Sequence, residues 1–202
     1  MLEIKEGLQA IFWDFDGVLM DSNPIRDLGF EKVLSEYPSH QVEALLDYHK
    51  KNGGLSRYVK FRYFFEQIRN EKISEGEVQV WADRFSVIVK EMLLNKNLLI
   101  DETLSWVKEN YNKIPMHIVS GSDQRELRSV CERHDINQYF RDINGSPTPK
   151  KQLVAGLLSA NNYTPSQCLL VGDSINDYEA AEVNGIRFFA YNNPAITTLN
   201  SY

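Results

Sequence analysis

Cysteine is scarce: the 202 residues hold two, Cys131 and Cys168. Neither sits in a CxxC or beside a His pair, so no disulfide framework or zinc site is indicated, and a reducing compartment fits. Long apolar runs are missing as well. The apolar stretch at residues 92–100 is broken by Asn95, Lys96 and Asn97, and nothing approaches the ~18 uninterrupted apolar residues of a membrane span. Positive charge is in deficit, since 22 Lys and Arg against 28 Asp and Glu leave a formal charge of −6. That balance disfavours the basic surface that tracks nucleic-acid phosphates. The opening residues MLEIKEGLQAIFWDF carry Glu3 and Glu6 and no small-residue cleavage site, unlike a secretory leader. The expectation is a cytoplasmic protein with neither nucleic-acid nor membrane partners; the composition does not speak to oligomeric state.

The residues that remain are 43% hydrophobic and 25% charged, an ordinary globular balance, in a length suited to roughly one to two domains. Short apolar runs recur at residues 10–13, 116–119, 169–171 and 188–190. Runs this short, rich in Ile, Val, Phe and Leu, predict strands buried on both faces. A third strand in chain order is expected at 139–143. Helical segments are predicted at 123–134, where Asp123 and Glu126 have capping-box spacing, at 150–160 and at 176–184. The alternation predicts an α/β fold with an open, doubly wound parallel sheet.

About a hundred residues separate the first run from the second, where a simple crossover needs ~12. Ser74 and Glu77 mark another helix start, and Tyr58, Phe61, Phe65 and Ile68 recur at helical intervals. The expected organisation is a Rossmann-like core of residues 1–22 and 95–202 interrupted by an all-helical module of residues 23–94. No internal repeat or low-complexity segment is seen.

In an open parallel sheet the reactive groups lie beyond the carboxyl ends of the strands. The residues found there are DFDGVLMDS at 14–22, IVSGS at 118–122, a lysine in GSPTPKK at 145–151 and VGDSINDYEAA at 171–181. In this order the four motifs resemble the haloacid dehalogenase superfamily, in its phosphatase subgroup with a helical cap after the first strand, the group of phosphoglycolate phosphatase and beta-phosphoglucomutase. The resemblance runs from Ile11 to about Tyr191, and the cap matches only in length and helicity.

The resemblance implies that Asp14 is a nucleophile forming an aspartyl phosphate, chemistry open to a carboxylate. Asp16, two residues on and pointing the same way along a strand, would protonate the leaving alkoxide and then take a proton from water. It further implies magnesium held by Asp14, the Asp16 carbonyl and Asp173, with Asp177 a ligand or a support. Lys150, with Lys151 the alternative, would stand beside the nucleophile; the Ser120 hydroxyl and nearby amides such as that of Gly121 would hold phosphoryl oxygens. Converging carboxylates at 4 Å repel by about 4 kcal/mol per pair at an effective dielectric of 20, so cations are required.

In the cap, Arg57 and Lys60 lie three apart on one predicted helix face after Gly53 and Gly54, and are the candidate contacts to the substrate's leaving group. His40, His49, His117 and His134 lack metal-ligand spacing. The implied activity is magnesium-dependent hydrolysis of a small phosphate ester, such as a sugar phosphate. A phosphomutase would share both aspartates, and a catalytically idle binding module would share the fold. Asp16 argues against dehalogenases and phosphonate-cleaving relatives, which depart from an acid there.

Overall fold

The computed structural model describes residues 3–202. Its centre is one five-stranded parallel sheet in the order β3-β2-β1-β4-β5. The strands are β1 (Ala10–Trp13), β2 (Met116–Asp123), β3 (Asp142–Ser146), β4 (Cys168–Gly172) and β5 (Arg187–Ala190). Every residue of β1 and β4 is buried, which is why these strands read as continuous apolar runs. Alternate residues feed opposite faces: Ile11, Trp13, Leu169 and Val171 join one apolar cluster, Ala10, Phe12, Cys168 and Leu170 the other.

Helices cover both faces. On the first lie α5 (Asp101–Asn110), through Leu104 and Val107, and α6 (Gln124–Arg133), through Leu127 and Val130. On the second lie α7 (Lys150–Ala160), through Val154 and Leu158, and α8 (Ile175–Val183), through Ala180 and Ala181. The third strand lies three residues beyond its expected place. Tyr139 ends a 3-10 turn, and pairing with β2 starts where Asp142 meets His117.

Between β1 and α5 the chain forms four further α-helices. They are α1 (Asn23–Val33), α2 (Ser39–Lys51), α3 (Arg57–Tyr63), which continues into a π-turn at Phe64–Ile68, and α4 (Glu75–Val89). Ser74 and Glu77 do form the expected reciprocal cap of α4. The π-turn brings both Phe64 and Phe65 inward. Phe30, Phe61 and Phe85 pack with ring centroids 4.6 to 6.2 Å apart, and belong to the same contiguous cluster as Ile11 and Trp13. No helix of the described residues is long and apolar enough to cross a membrane.

β1 has β2 on one side and β4 on the other. The winding reverses there, and that reversal opens the crevice beyond the carboxyl ends of β1 and β4.

Candidate active site

Asp14 follows β1 directly, and its amide still donates to the Val171 carbonyl at 2.9 Å, so the sheet fixes its backbone. The chain must then turn sharply. Gly17 does so at φ +79°, where an added Cβ would lie 2.0 Å from Asp173 Oδ2; only glycine fits. Asp14 is 3% exposed, and Lys150 Nζ lies 2.7 Å from its Oδ1. Lys150 also pairs with Asp177. Its place in the first turn of α7 aims the ammonium inward, whereas Lys151 is exposed.

Asp173 follows β4, and Asp14, Asp173 and Asp177 each offer an oxygen within 4.8 Å of the others. Asp177 is already occupied. Its Oδ1 takes Lys150, and its Oδ2 accepts the Ser174 amide at 3.0 Å and the Ser174 hydroxyl at 2.7 Å, closing a capping box on α8. Burial, then repulsion from Asp177 and Asp173, holds the Asp14 carboxyl well above the usual carboxylate range despite Lys150. Burial and Asp177 likewise push Asp173 up to about 7. One ammonium thus faces three carboxylates. An all-oxygen cluster short of positive charge fits a small, hard divalent cation such as magnesium.

Asp16 is held differently. Burial alone would raise its acidity constant, but Arg26 and the hydroxyls of Ser122 and Ser22 outweigh burial and bring it down to about 2. Arg26 Nε donates to Asp16 Oδ1 at 3.0 Å, Ser122 Oγ donates to Oδ2 at 2.5 Å, and Ser22 donates to Oδ1. In this arrangement Asp16 is ionised and able to accept a proton; to donate one it must first be released by Arg26. Ser120 is buried, its hydroxyl accepting the Ser122 amide at 3.0 Å.

A cavity of about 400 Å³ opens over these groups, lined by Asp14, Asp16, Gly121 and Asp173 from the core. The helical insert supplies the opposite wall, including His49, Lys50, Lys51 and Lys60. Arg57 also lines it, with its guanidinium bonded to Glu126 at 2.6 and 3.0 Å and to Ser86 at 2.6 Å. Lys60 is 2% exposed and donates to the Gly53 carbonyl at 3.1 Å. Burial, aided by Arg26 and Arg57 and opposed by Asp16, lowers its pKa to about 7.

Residues 11–191 match the sequence profile of the haloacid dehalogenase-like hydrolases. The chain belongs to this family. Within it the chain is a phosphatase, similar to the phosphorylated carbohydrates phosphatase of Thermotoga maritima, with 26% identity over 187 residues covering 89% of this chain and 82% of that one. It is also 24% identical over 192 residues to phosphoglycolate phosphatase 1 of Pseudomonas aeruginosa, covering 89% and 67% of the two chains. In fold it is similar to beta-phosphoglucomutase of Clostridium difficile, with a TM-score of 0.72, 18% identity and coverage of 96% and 88%.

The geometry adds four residues that sequence reading did not single out in this haloacid dehalogenase-like chain: Ser22, Arg26, Ser122 and Glu126. Ser22 and Ser122 lie within the quoted motifs, Ser22 just before α1 and Ser122 at the end of β2. Arg26 gave no signal beyond being a cation shortly after the first motif. The capping of α6 is one-sided. Asp123 accepts the amides of Arg125 and Glu126, both at 3.0 Å, while the Glu126 carboxylate turns to Arg26 and Arg57.

Proposed function

We propose that this phosphatase hydrolyses small phosphorylated metabolites, sugar phosphates among them, with magnesium and through an aspartyl phosphate on Asp14. The observation that carries this reading is the buried Asp14 carboxylate at the end of the central strand, paired with Lys150 at 2.7 Å and lining the cavity. Asp14 attacks phosphorus and the ester P–O bond breaks. Released from Arg26 when substrate enters and protonated from solvent, Asp16 gives that proton to the departing alkoxide. Water then attacks the acyl phosphate, gives its proton to Asp16, and inorganic phosphate leaves with Asp14 restored. Lys150 steadies Asp14 and the charge that develops beside it, while Ser120 and the Gly121 amide are suited to holding phosphoryl oxygens. Asp14, Asp173 and the Asp16 carbonyl would hold magnesium, which offsets phosphate charge, and Asp177 supports the arrangement by fixing Lys150.

The insert acts as the cap. A cavity of about 400 Å³ lies within the size range of small-molecule sites and gives no room to a folded phosphoprotein. The cytoplasm is the compartment that this chemistry and the free, buried Cys131 and Cys168 suit. Phosphate release should be measured on a panel of sugar phosphates, phosphoglycolate, nucleotides and nitrophenyl phosphate, with and without magnesium. The expected result is turnover of one or more small metabolites that chelation abolishes. Full activity in chelator, or no release from any member, would overturn the proposal.

Lys60 offers a sharper test of the cap. Its folded pKa of about 7 lies below the ordinary 10.5, so the unfolded chain binds this proton more readily. Stability therefore rises with pH across that window, and at neutral pH the buried ammonium is a burden on the fold. Lys60→Met should raise the thermal midpoint at neutral pH by about 2–4 °C. The same change should lower kcat/KM roughly tenfold on the best metabolite and spare nitrophenyl phosphate, because the charge is kept for the leaving group. Equal effects on both esters would remove Lys60 from substrate recognition.

A further inference from the structure

Glu126 lies on α6, in the core, yet every partner of its carboxylate described above comes from the insert. Oε1 accepts Arg26 Nη1 at 2.5 Å and Arg57 Nη2 at 2.6 Å, while Oε2 accepts Arg57 Nη1 at 3.0 Å. The three side chains are nearly sealed, at 7%, 7% and 4% exposure for Glu126, Arg26 and Arg57. Beyond them the chain of contacts continues in both directions. Arg57 reaches Ser86 of α4, and Arg26 reaches Ser122 at 3.0 Å and Asp16 at 3.0 Å. One core carboxylate thus ties α1 and α3 directly and α4 through Arg57.

Neighbouring contacts fit a shut insert. Tyr58 of α3 donates to Asp123 at 2.7 Å. A Cβ on Gly121 would come 2.4 Å from the Gly54 carbonyl oxygen, so the two backbones meet in the wall of the cavity that Asp14 lines. Burying a carboxylate between two guanidiniums is worthwhile only with complete, bidentate pairing, and Arg57 supplies that geometry.

We propose that Glu126 is the clasp by which the core holds the insert closed, and that through Arg26 it positions the carboxylate of Asp16. Glu126 is a positioning residue that acts through Arg26 and Arg57. Arg57 accordingly serves closure, and recognition of the leaving group falls to Lys60 and its neighbours. The effect on turnover rests on the phosphatase reading above; the clasp itself does not, and it has a readout of its own.

That readout is amide hydrogen exchange followed by mass spectrometry, on the whole protein and on Glu126→Gln. Losing the clasp should speed exchange roughly tenfold or more in residues 22–33 and 55–63 together, with the amides of β1 and β4 unchanged. On nitrophenyl phosphate, kcat should fall roughly tenfold or more while KM stays within about twofold, since closure and the aim of Asp16 suffer and phosphate contacts do not. In a double-mutant cycle with Arg57→Lys, which keeps charge but loses the bidentate fork, the two losses should fail to multiply. Unchanged exchange in α1 and α3, a change confined to α6, or losses that multiply would each overturn the clasp. If Glu126→Gln does not fold, Glu126→Asp keeps the charge with a shorter reach. The same two segments should then loosen to a smaller degree, and unaltered exchange there would equally refute it. Should the wild-type protein release phosphate from no ester, the phosphatase reading fails while the exchange result still decides the clasp.

Discussion

Asp14→Asn should yield a folded protein that turns over no phosphate ester. The amide has the size and shape of the carboxylate and can still accept Lys150, but its oxygen is a poor nucleophile and cannot give the acyl phosphate. A loss on the order of 10⁴-fold or more in kcat is the scale on which removing a nucleophile acts. Stability should move the other way. Burial and the neighbouring Asp177 and Asp173 hold the Asp14 carboxyl well above its ordinary range, so ionised Asp14 strains the fold and a neutral group relieves that strain. The expected pair of results is an inactive variant with a thermal midpoint at neutral pH no lower than wild type. Trapping the wild type with beryllofluoride or borohydride should mark Asp14 and no other residue. Residual turnover within about tenfold of wild type, or an adduct elsewhere, would remove Asp14 from the nucleophile's role.

Much of the arrangement was legible in the sequence because sheet and site share one logic. β1 and β4 are buried on both faces and show as apolar runs, and the residues that follow such runs are the ones the topology gathers. Asp14 and Asp173 needed nothing more. The choice of Lys150 over Lys151 needed helix phase: the first turn of α7 turns one lysine inward and leaves the next in solvent. β3 was misplaced because its sequence, DINGS, is polar and its burial is partial, while the more conspicuous Tyr139 and Phe140 lie at and just after a 3-10 turn.

Pairings between distant segments were not legible. Arg26 and Glu126 are 100 positions apart, and nothing local reports that a cation on the first insert helix will meet an acid on a core helix. Glu126 was hidden further by its spacing from Asp123, which satisfies a capping box on paper. Three-dimensional context gave the carboxylate two guanidiniums, stronger partners than one backbone amide. The same context explains Arg57. Sequence placed it on one face with Lys60, and both are buried, but which of the two would be tied to the core depended on a residue 69 positions away.

Lys150→Met should be the most damaging change to the fold among the site residues, and its damage should depend on pH. The ammonium bonds Asp14 at 2.7 Å and also bonds Asp177. Removing one member of a buried ion pair costs about 3–5 kcal/mol because the partner stays buried without compensation. Here two partners are left, beside a third carboxyl, Asp173. Methionine fills the volume of the stem, so the loss is of charge and hydrogen bonds more than of packing. The direction with pH follows from the carboxyls. Asp173 titrates at about 7 in the fold against 3.8 ordinarily, so the folded state keeps its proton more tightly than the unfolded chain. Stability is greatest below the ordinary value and falls as pH rises through the folded one. With Lys150 gone, Asp14 and Asp173 shift further in that direction. The gap in thermal midpoint between wild type and Lys150→Met, both without metal, should therefore be wider at about pH 8 than at about pH 5. Turnover should fall on the order of 10²–10³-fold at neutral pH, the effect of deleting one preorganised charge beside the reacting group. Lys150→Arg should recover part of the stability and little of the turnover, because a planar fork cannot place a compact charge between two carboxylates. A gap that is flat across pH would mean that Lys150 is held by packing and that the three carboxylates find their compensation elsewhere.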